Sequence, residues 1–445
     1  MPTSAGAVAV VGPLLHFMER LQRPHNRILW ERLQQKHTLA WLKEVFPRMD
    51  FPLQLKLLSP RRSFLVANAL AALSLALGCA SDDTASRGNG SGAFAVDSVP
   101  VLDIGDEADG SHAIFSGPVL PVFLSDGRIV VANGGSQELR FFDKTGTWIR
   151  SIGRSGSGPG EFNSLGWLHV GTADSLLTYD WGQLRVSVFS PDGQYERSYM
   201  LGPDGGGGTL RPQAALANGA IIASTQSSVD MSSAAPGVRR DTSLLLLFDA
   251  QGRPLDSLGR FPGSEAWIDR TERSMSVQNR PFGKQLTVRA HANAVYVGSA
   301  DTHEITVLES SGRAERTLRW SGSLMPISPP VIDAYVTATV ADAPSERRAA
   351  AIEMLRRAPY PPAMPAFATF VVADDGTVWV GRYLARGQGE RRTFDVLDAS
   401  GTVLGSVEMP ARFSPSQVTR DRVIGTWRDE DDVVHIRVYR FLRAQ

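Results

Sequence analysis

A short phrase recurs along this chain: a turn, a β-run, a gap, a second β-run ending in Phe, Leu or Val, and a turn closed by glycine. It reads DGRIVVANGGSQELRFFDKTG at 126–146, DSLLTYDWGQLRVSVFSPDG at 174–193 and NAVYVGSADTHEITVLESSG at 293–312. It returns as DGTVWVGRY…FDVLDASG at 375–401, more loosely as NGAIIAS…LLLLFDAQG at 218–252, and truncated as DRVIGTW…VVHIRVYRF at 421–441. Apolar and polar residues alternate within each run, the period-two pattern of strands with buried faces. A repeat of this size cannot cover its own apolar faces and must stack on its neighbours. Six four-stranded repeats predict an all-β chain closed into a six-bladed β-propeller.

The first copy gives the layout of one blade. Pro118–Leu124 is its inner strand, Arg128–Ala132 the second, Glu138–Phe142 the third and Thr147–Ile152 the outer one. Gly146, Gly193, Gly252, Gly312 and Gly401 all stand at the turn between third and fourth strands, where a positive φ is wanted. The sixth copy ends with its third strand, Val434–Phe441, which would leave an exposed edge. An unassigned β-run, Ala93–Ile104, precedes the first blade. The expectation is that this N-terminal strand completes the last blade and closes the ring.

The segment ahead of residue 93 carries different information. Arg61 and Arg62 precede fifteen mostly apolar residues, Phe64–Gly78, and then Cys79, the single cysteine of the chain. The run is short for a membrane span but right for the h-region of a signal peptide. Residues 63–79 resemble a bacterial signal peptide and lipobox, in which the cysteine is diacylated and becomes the mature N-terminus. The other readings are a signal anchor and an ordinary signal peptide. Residues 1–62 are an N-terminal extension with a net charge of +6, and the remainder carries −6, so the overall balance is zero. Met49 would start an ordinary n-region, so residues 1–48 read as an over-extended start or as a segment absent from the mature protein; an amphipathic helix around Arg20–Trp41 is the alternative. Residues 80–92 are small and polar and predict a flexible tether to a propeller at 93–445. Ala80 and Ser81 after the cysteine imply, by resemblance to the sorting pattern, the outer membrane of a bacterial envelope, facing the periplasm or the exterior. No basic patch of the kind that binds nucleic acid is present.

Two motifs carry a family resemblance. Gly153–Phe162 reads GRSGSGPGEF, and Pro365–Val380 combines a Pro-Ala-Phe entry with an Asp-Gly-x-x-Trp-Val strand. The chain resembles the NHL-related six-bladed β-propellers, in particular a lipoprotein group, over about residues 95–445. The resemblance implies the fold and the compartment. Because propellers host unrelated activities, it implies no particular chemistry. Lyases similar to this family hold a divalent metal on channel-facing His and Tyr side chains.

Insertions are distributed unevenly. The turns joining first to second and third to fourth strands are short, whereas Thr225–Arg240, Arg260–Arg280, Ser321–Phe367 and Leu384–Arg391 all fall in connections that emerge on the other face. Binding residues commonly sit on such loops above a rigid scaffold. The longest insertion, between blades four and five, is expected to be helical over about 329–358. Pro344, Ser345 and Glu346 form a helix start, ERRAAAIEMLRRA supplies helix formers, and Pro359 stops it. It reads as a lid or as a buttress. Arg347, Arg348, Arg356 and Arg357 form a solvated face or an anion site.

No HExxH, GxSxG, P-loop or EF-hand spacing occurs. Gly205–Gly208 suits a slack loop, and Asp429–Asp432 a polar turn or a calcium ligand set. His169 lies on the inner strand of blade two, but the chain's histidines (His291, His303 and His435 among them) do not recur at one register. A zinc site with an open position needs three ligands at one depth, so no cofactor is expected. Second-strand ends on the elaborated face are the stronger ligand candidates: Asn133, Asp180, Asp301, Arg382, Tyr383, Trp427 and Arg428, together with His169. The leading expectation is a lipid-anchored binding module, without enzymatic activity, taking a peptide, glycan or protein at this face. The alternatives are a lyase or hydrolase with a divalent metal in the channel, and a scaffold in an envelope assembly.

Overall fold

Residues 94–106, 110–202, 210–225, 234–270, 275–310, 314–341 and 343–443 are described by a computed structural model. The N-terminal extension, the apolar run, Cys79, the tether, Gly205–Gly208, Gly312 and Asp342 lie outside these residues.

The repeats form six antiparallel sheets, here called blades. From the inside outward, blade one comprises Val119–Phe123, Ile129–Asn133, Glu138–Phe142 and Trp148–Ile152. Blade two comprises Leu165–Val170, Leu176–Asp180, Arg185–Phe189 and Tyr195–Met200; blade three Leu210–Ala215, Ile221–Thr225, Thr242–Phe248 and Pro254–Pro262. Blade four comprises Thr287–His291, Ala294–Gly298, Glu304–Glu309 and Ala314–Arg319. Blade five comprises Thr369–Val372, Val378–Gly381, Thr393–Leu397 and Val403–Glu408. Blade six starts with Phe413–Val418, Arg422–Arg428 and Val434–Arg443. Each inner strand touches the inner strand of the next blade, and that of blade six returns to Val119–Phe123.

Alternation along each strand explains how the ring packs. Ile129 and Val131 face blade six and join Ile424, Ile436 and Val438 in one core. Their neighbours Val130 and Ala132 point to the opposite side and join Leu165, Leu176 and Phe189 of blade two. The same division repeats around the ring, giving one apolar core between each pair of adjacent blades. Burying each such Val or Ile contributes about 1.5–3 kcal/mol.

The seam is closed by the N-terminal segment. Phe94–Val96 pairs with Phe441–Arg443, and Leu102–Ile104 pairs with Ile436–Val438, so two short strands share the outer position of blade six. From Phe94 to Ile104 the run is therefore bent between Asp97 and Val101 instead of continuous. Asp103 fixes the register, its carboxylate accepting from Arg437 Nε at 2.8 Å and lying 2.9 Å from His435 Nδ1.

The repeated outer turn has a local cause. Asp143 Oδ1 accepts from the amides of Thr145 and Thr147, and Asp398 does the same with Ser400 and Thr402. The chain must then reverse through positive φ, at 85° for Gly146 and 92° for Gly401. The DEDD run also makes a turn, with Asp429 Oδ1 accepting from the amides of Asp431 and Val433. In the GRSGSGPGEF loop, Glu161 accepts from the Gly158 amide and from Arg154, while Phe162 is wholly buried between blades one and two.

The insertions hold the main difference from the sequence reading. The outer strand of blade three continues to Pro262, past the expected boundary at Arg260. Beyond it, Ala266–Arg270 and Met275–Asn279 pair with each other, and Gly237–Arg239 from the other blade-three insertion joins them as a three-stranded accessory sheet. Two helices follow blade four: α1, Pro329–Val340, and α2, Ser345–Arg356. Tyr335 of α1 packs with Phe282, Tyr360 and Tyr383, which ties the helices to blades four and five as a buttress. Arg357 bridges Glu353 and Asp269 of the accessory sheet, and Arg356 faces Asp333, whereas Arg347 and Arg348 are exposed.

Candidate functional site

A cavity of about 300 Å³ lies on the elaborated face between blades four and five. Its floor and walls come from separate parts of the chain. Arg382 and Tyr383 follow the second strand of blade five, and Asp395 lies on the third. His303 and Trp320 flank the last two strands of blade four. Another wall is made where the two ends of the helical insertion meet. Ile327 N donates to Pro362 O at 3.1 Å, and Met364 N donates to Met325 O at 2.8 Å. This short ladder places Met325 and Met364 against the cavity.

Polar groups inside the cavity are held in place. Arg382 Nη2 and Nε donate to Asp395 at 2.7 and 3.0 Å, a forked pair. Asp395 is largely covered, at 14% side-chain exposure, but Arg382 is 60% exposed and keeps a free edge toward a ligand. The bond to Asp395 raises the Arg382 pKa further, so its charge is permanent. Burial lowers the pKa of His303, with Asp395 pulling the other way, and leaves a neutral imidazole at pH 7. Its ring stands edge-on to Trp320 at 5.6 Å and covers Gly322, where no Cβ would fit. Burial, aided by Tyr335, pushes the Tyr383 phenol up to about 12, so it stays protonated and able to donate.

The cavity is thus close to electrically neutral, with aromatic walls at Trp320, Phe367 and Tyr383 and fixed donors and acceptors on one side. Such a site suits a small polar ligand that has one apolar face.

The other candidates from the sequence occupy different positions. Asn133 and Asp180 end equivalent strands and are each 1% exposed. Asn133 Oδ1 accepts from Ser116 N, and Asp180 accepts from the amides of Asn163, Ser164, Gly182 and Gln183. Both side chains bind the entry of their own blade and present nothing to a ligand. Asp301 accepts from Arg240 Nη1 and Lys284 Nζ at 2.7 Å and from Ser299, which holds its carboxyl well below the usual range despite burial. Nearby Glu265 and Arg280 extend this ion network, and Arg280 Nε reaches Pro359 O beyond α2. Arg428 pairs with Asp432 at the tip of its hairpin.

Trp427 lines a second cavity of about 430 Å³ at the seam, with Phe94, Val96, Arg437 and Tyr439. Its indole Nε1 donates to Ala411 O, and Arg437 stacks over its ring while pairing with Asp103. These groups serve closure of the ring. His169 stacks on Trp167 at 5.7 Å on the inner strand of blade two, and burial holds its pKa at about 4. Among the described residues, no three His, Cys, Asp or Glu side chains gather in a metal-binding group.

Asp395 and Trp320 escaped the sequence reading. A signal for Asp395 existed, since its register carries Arg140, Ser187 and Thr306 in blades one, two and four, and only blade five puts a carboxylate there.

Comparison with known proteins bears on the fold. Residues 117–202, covering blades one and two, match a family described as 6-bladed beta-propeller. No curated protein sequence matches the chain. Among solved structures, a Bacteroides fragilis NCTC 9343 protein described as exported is 12% identical with a TM-score of 0.45, covering 79% of this chain and 96% of its own. A DUF4221 family member from Bacteroides vulgatus ATCC 8482 is 9% identical with a TM-score of 0.45, over 79% of this chain and 99% of its own. Virginiamycin B lyase from Staphylococcus aureus is 8% identical with a TM-score of 0.38, over 79% and 100%.

Proposed function

We propose that this chain is a β-propeller binding module whose ligand occupies the cavity between blades four and five. The observation that carries the reading is the convergence of Arg382, Asp395, Tyr383, His303 and Trp320, from two blades, on one neutral aromatic-walled cavity on the loop-rich face. The volume, about 300 Å³, is at the small end for ligand sites and fits a sugar ring or a short peptide segment with its flanking amide. The forked Arg382–Asp395 pair offers donor and acceptor edges to hydroxyl or amide groups, while Trp320 and Tyr383 cover the apolar face of the ligand.

The experiment begins with the purified full chain on glycan and peptide arrays, followed by calorimetric titration of the best hit. Truncating an aromatic or arginine anchor commonly costs more than 1 kcal/mol. Arg382→Ala and Trp320→Ala are each expected to weaken binding about 10-fold or more. Circular dichroism melts check that the ring stays folded. Wild-type affinity in both variants overturns this placement.

The proposal extends to location. Residues 63–79 and the Cys79 thiol would supply a lipid anchor, with residues 80–92 as tether, placing the cavity in a bacterial envelope, at the outer membrane. This part rests on the sequence pattern around Arg61, Arg62 and Cys79.

A further inference from the structure

The six inner strands line the centre of the ring, and their charges are one-sided. Together they contain no Asp or Glu, but they carry Arg211 and Arg289, with His169 and His291. Inner strands run from the elaborated face toward the plain one. Arg211 therefore stands near the elaborated entrance, Arg289 at mid-depth, and the two histidines near the plain end.

Arg289 is opposite Tyr296 in the strand register, so both side chains leave the same side of blade four. Tyr296 is buried in the core against blade five, whereas Arg289, one strand further in, reaches the inner edge. It lies deep in the protein yet stays partly accessible, as expected for a residue at the inner edge of the ring. Its guanidinium makes one hydrogen bond, from Nη1 to Val288 O at 2.9 Å, and pairs with no carboxylate among the described residues. Burial depresses its pKa, with no neighbouring carboxylate opposing the shift. Arg211 is exposed, stacks on Trp181 at 4.8 Å from the ring centroid, and also has no carboxylate partner among the described residues.

Among the described residues, none of the other titratable groups near this space hydrogen-bonds Arg289. His169 is held uncharged by burial, at a pKa of about 4. Asp374, in the plain-face turn of blade five, has its pKa raised by burial, with His291 pulling against the rise. A guanidinium enclosed without counter-charge is costly unless an anion joins it. Its planar fork of donors matches two oxygens of a carboxylate or phosphate.

We propose that the central channel binds a small oxyanion, a carboxylate or a phosphate, with Arg289 as its main ligand and Arg211 at its entrance. This site is separate from the cavity between blades four and five. A ligand bearing such a group, free or at the end of a larger molecule, would enter from the elaborated face past Trp181 and Arg211.

The test uses the purified full chain, titrated calorimetrically with inorganic phosphate and with acetate, and melted in each salt against chloride at equal ionic strength. At least one of the two anions is expected to bind and to raise Tm beyond the chloride control. Preference for phosphate or for acetate tells which class the channel accepts. Arg289→Met is expected to weaken binding at least 10-fold and to lose the specific rise in Tm, while its Tm in chloride equals or exceeds wild type. Arg289→Lys keeps charge without the fork and is expected to fall between them, which preserves the test if the methionine variant fails to fold. No binding by the wild-type chain, or wild-type binding by the variants, overturns the proposal.

Discussion

Closure of the ring by the N-terminal segment can be measured as a coupling energy between two phenylalanines. Phe441 lies near the end of the third strand of blade six and is 3% exposed, edge-on to Trp379 at 4.6 Å. Phe94, on the N-terminal strand, stacks against it at 5.9 Å with an interplanar angle of 13°. Phe441→Ala removes a core side chain and is expected to cost about 3–5 kcal/mol. Phe94 is only partly buried, so Phe94→Ala is expected to cost about 1–2 kcal/mol. An aromatic pair contributes about 0.5–1.5 kcal/mol beyond the area it buries. The double variant should therefore lose less than the sum of the single losses, by about 1 kcal/mol. Urea unfolding followed by circular dichroism gives the four free energies, with unchanged m-values confirming that each variant unfolds over the same surface. Additive losses would refute the reasoning, because residues 347 positions apart in sequence couple only if the seam is zipped.

Three further outcomes follow from single side chains. Asp180→Ala strands several amides that its carboxylate now accepts from, and should lower stability by about 2–4 kcal/mol in urea unfolding while leaving the blade-four cavity intact. His169, held near a pKa of about 4 in the fold, should make stability fall as pH drops. The unfolded imidazole takes up its proton near pH 6.5 and the folded one only near pH 4, so the loss accumulates between those values and stops below them. His169→Asn should flatten the stability–pH curve in that window, and an unchanged slope would count against a desolvated imidazole. Cys79→Ser should move the protein from the membrane to the soluble fraction; unaltered fractionation, or a mature mass that includes residues ahead of Cys79, would remove the lipid anchor.

The fold was legible because the repeat compares the chain with itself. Turn residues such as Gly146 and Gly401, or Asp143 and Asp398, stand at matching registers, and a residue type that recurs at one register belongs to the scaffold. The same reasoning, applied further, would have placed Asn133 and Asp180 with the scaffold, since both end the second strand of their blades. The cavity residues are those that break the pattern, as Asp395 does. The accessory sheet was hidden for a related reason. Its strands, Gly237–Arg239, Ala266–Arg270 and Met275–Asn279, come from two insertions with no repeated partner, and pairing between distant segments leaves no local period to read. The cavity walls at Met325 and Met364 likewise depend on two ends of one insertion meeting, which is a tertiary event.

The most direct measurement of the binding account is a crystal structure of the full chain with the best array ligand bound. Density for that ligand between Trp320 and Tyr383, in contact with the Arg382–Asp395 pair, is the predicted result. Ordered ligand at another place on the ring, with this cavity holding only solvent, would contradict it.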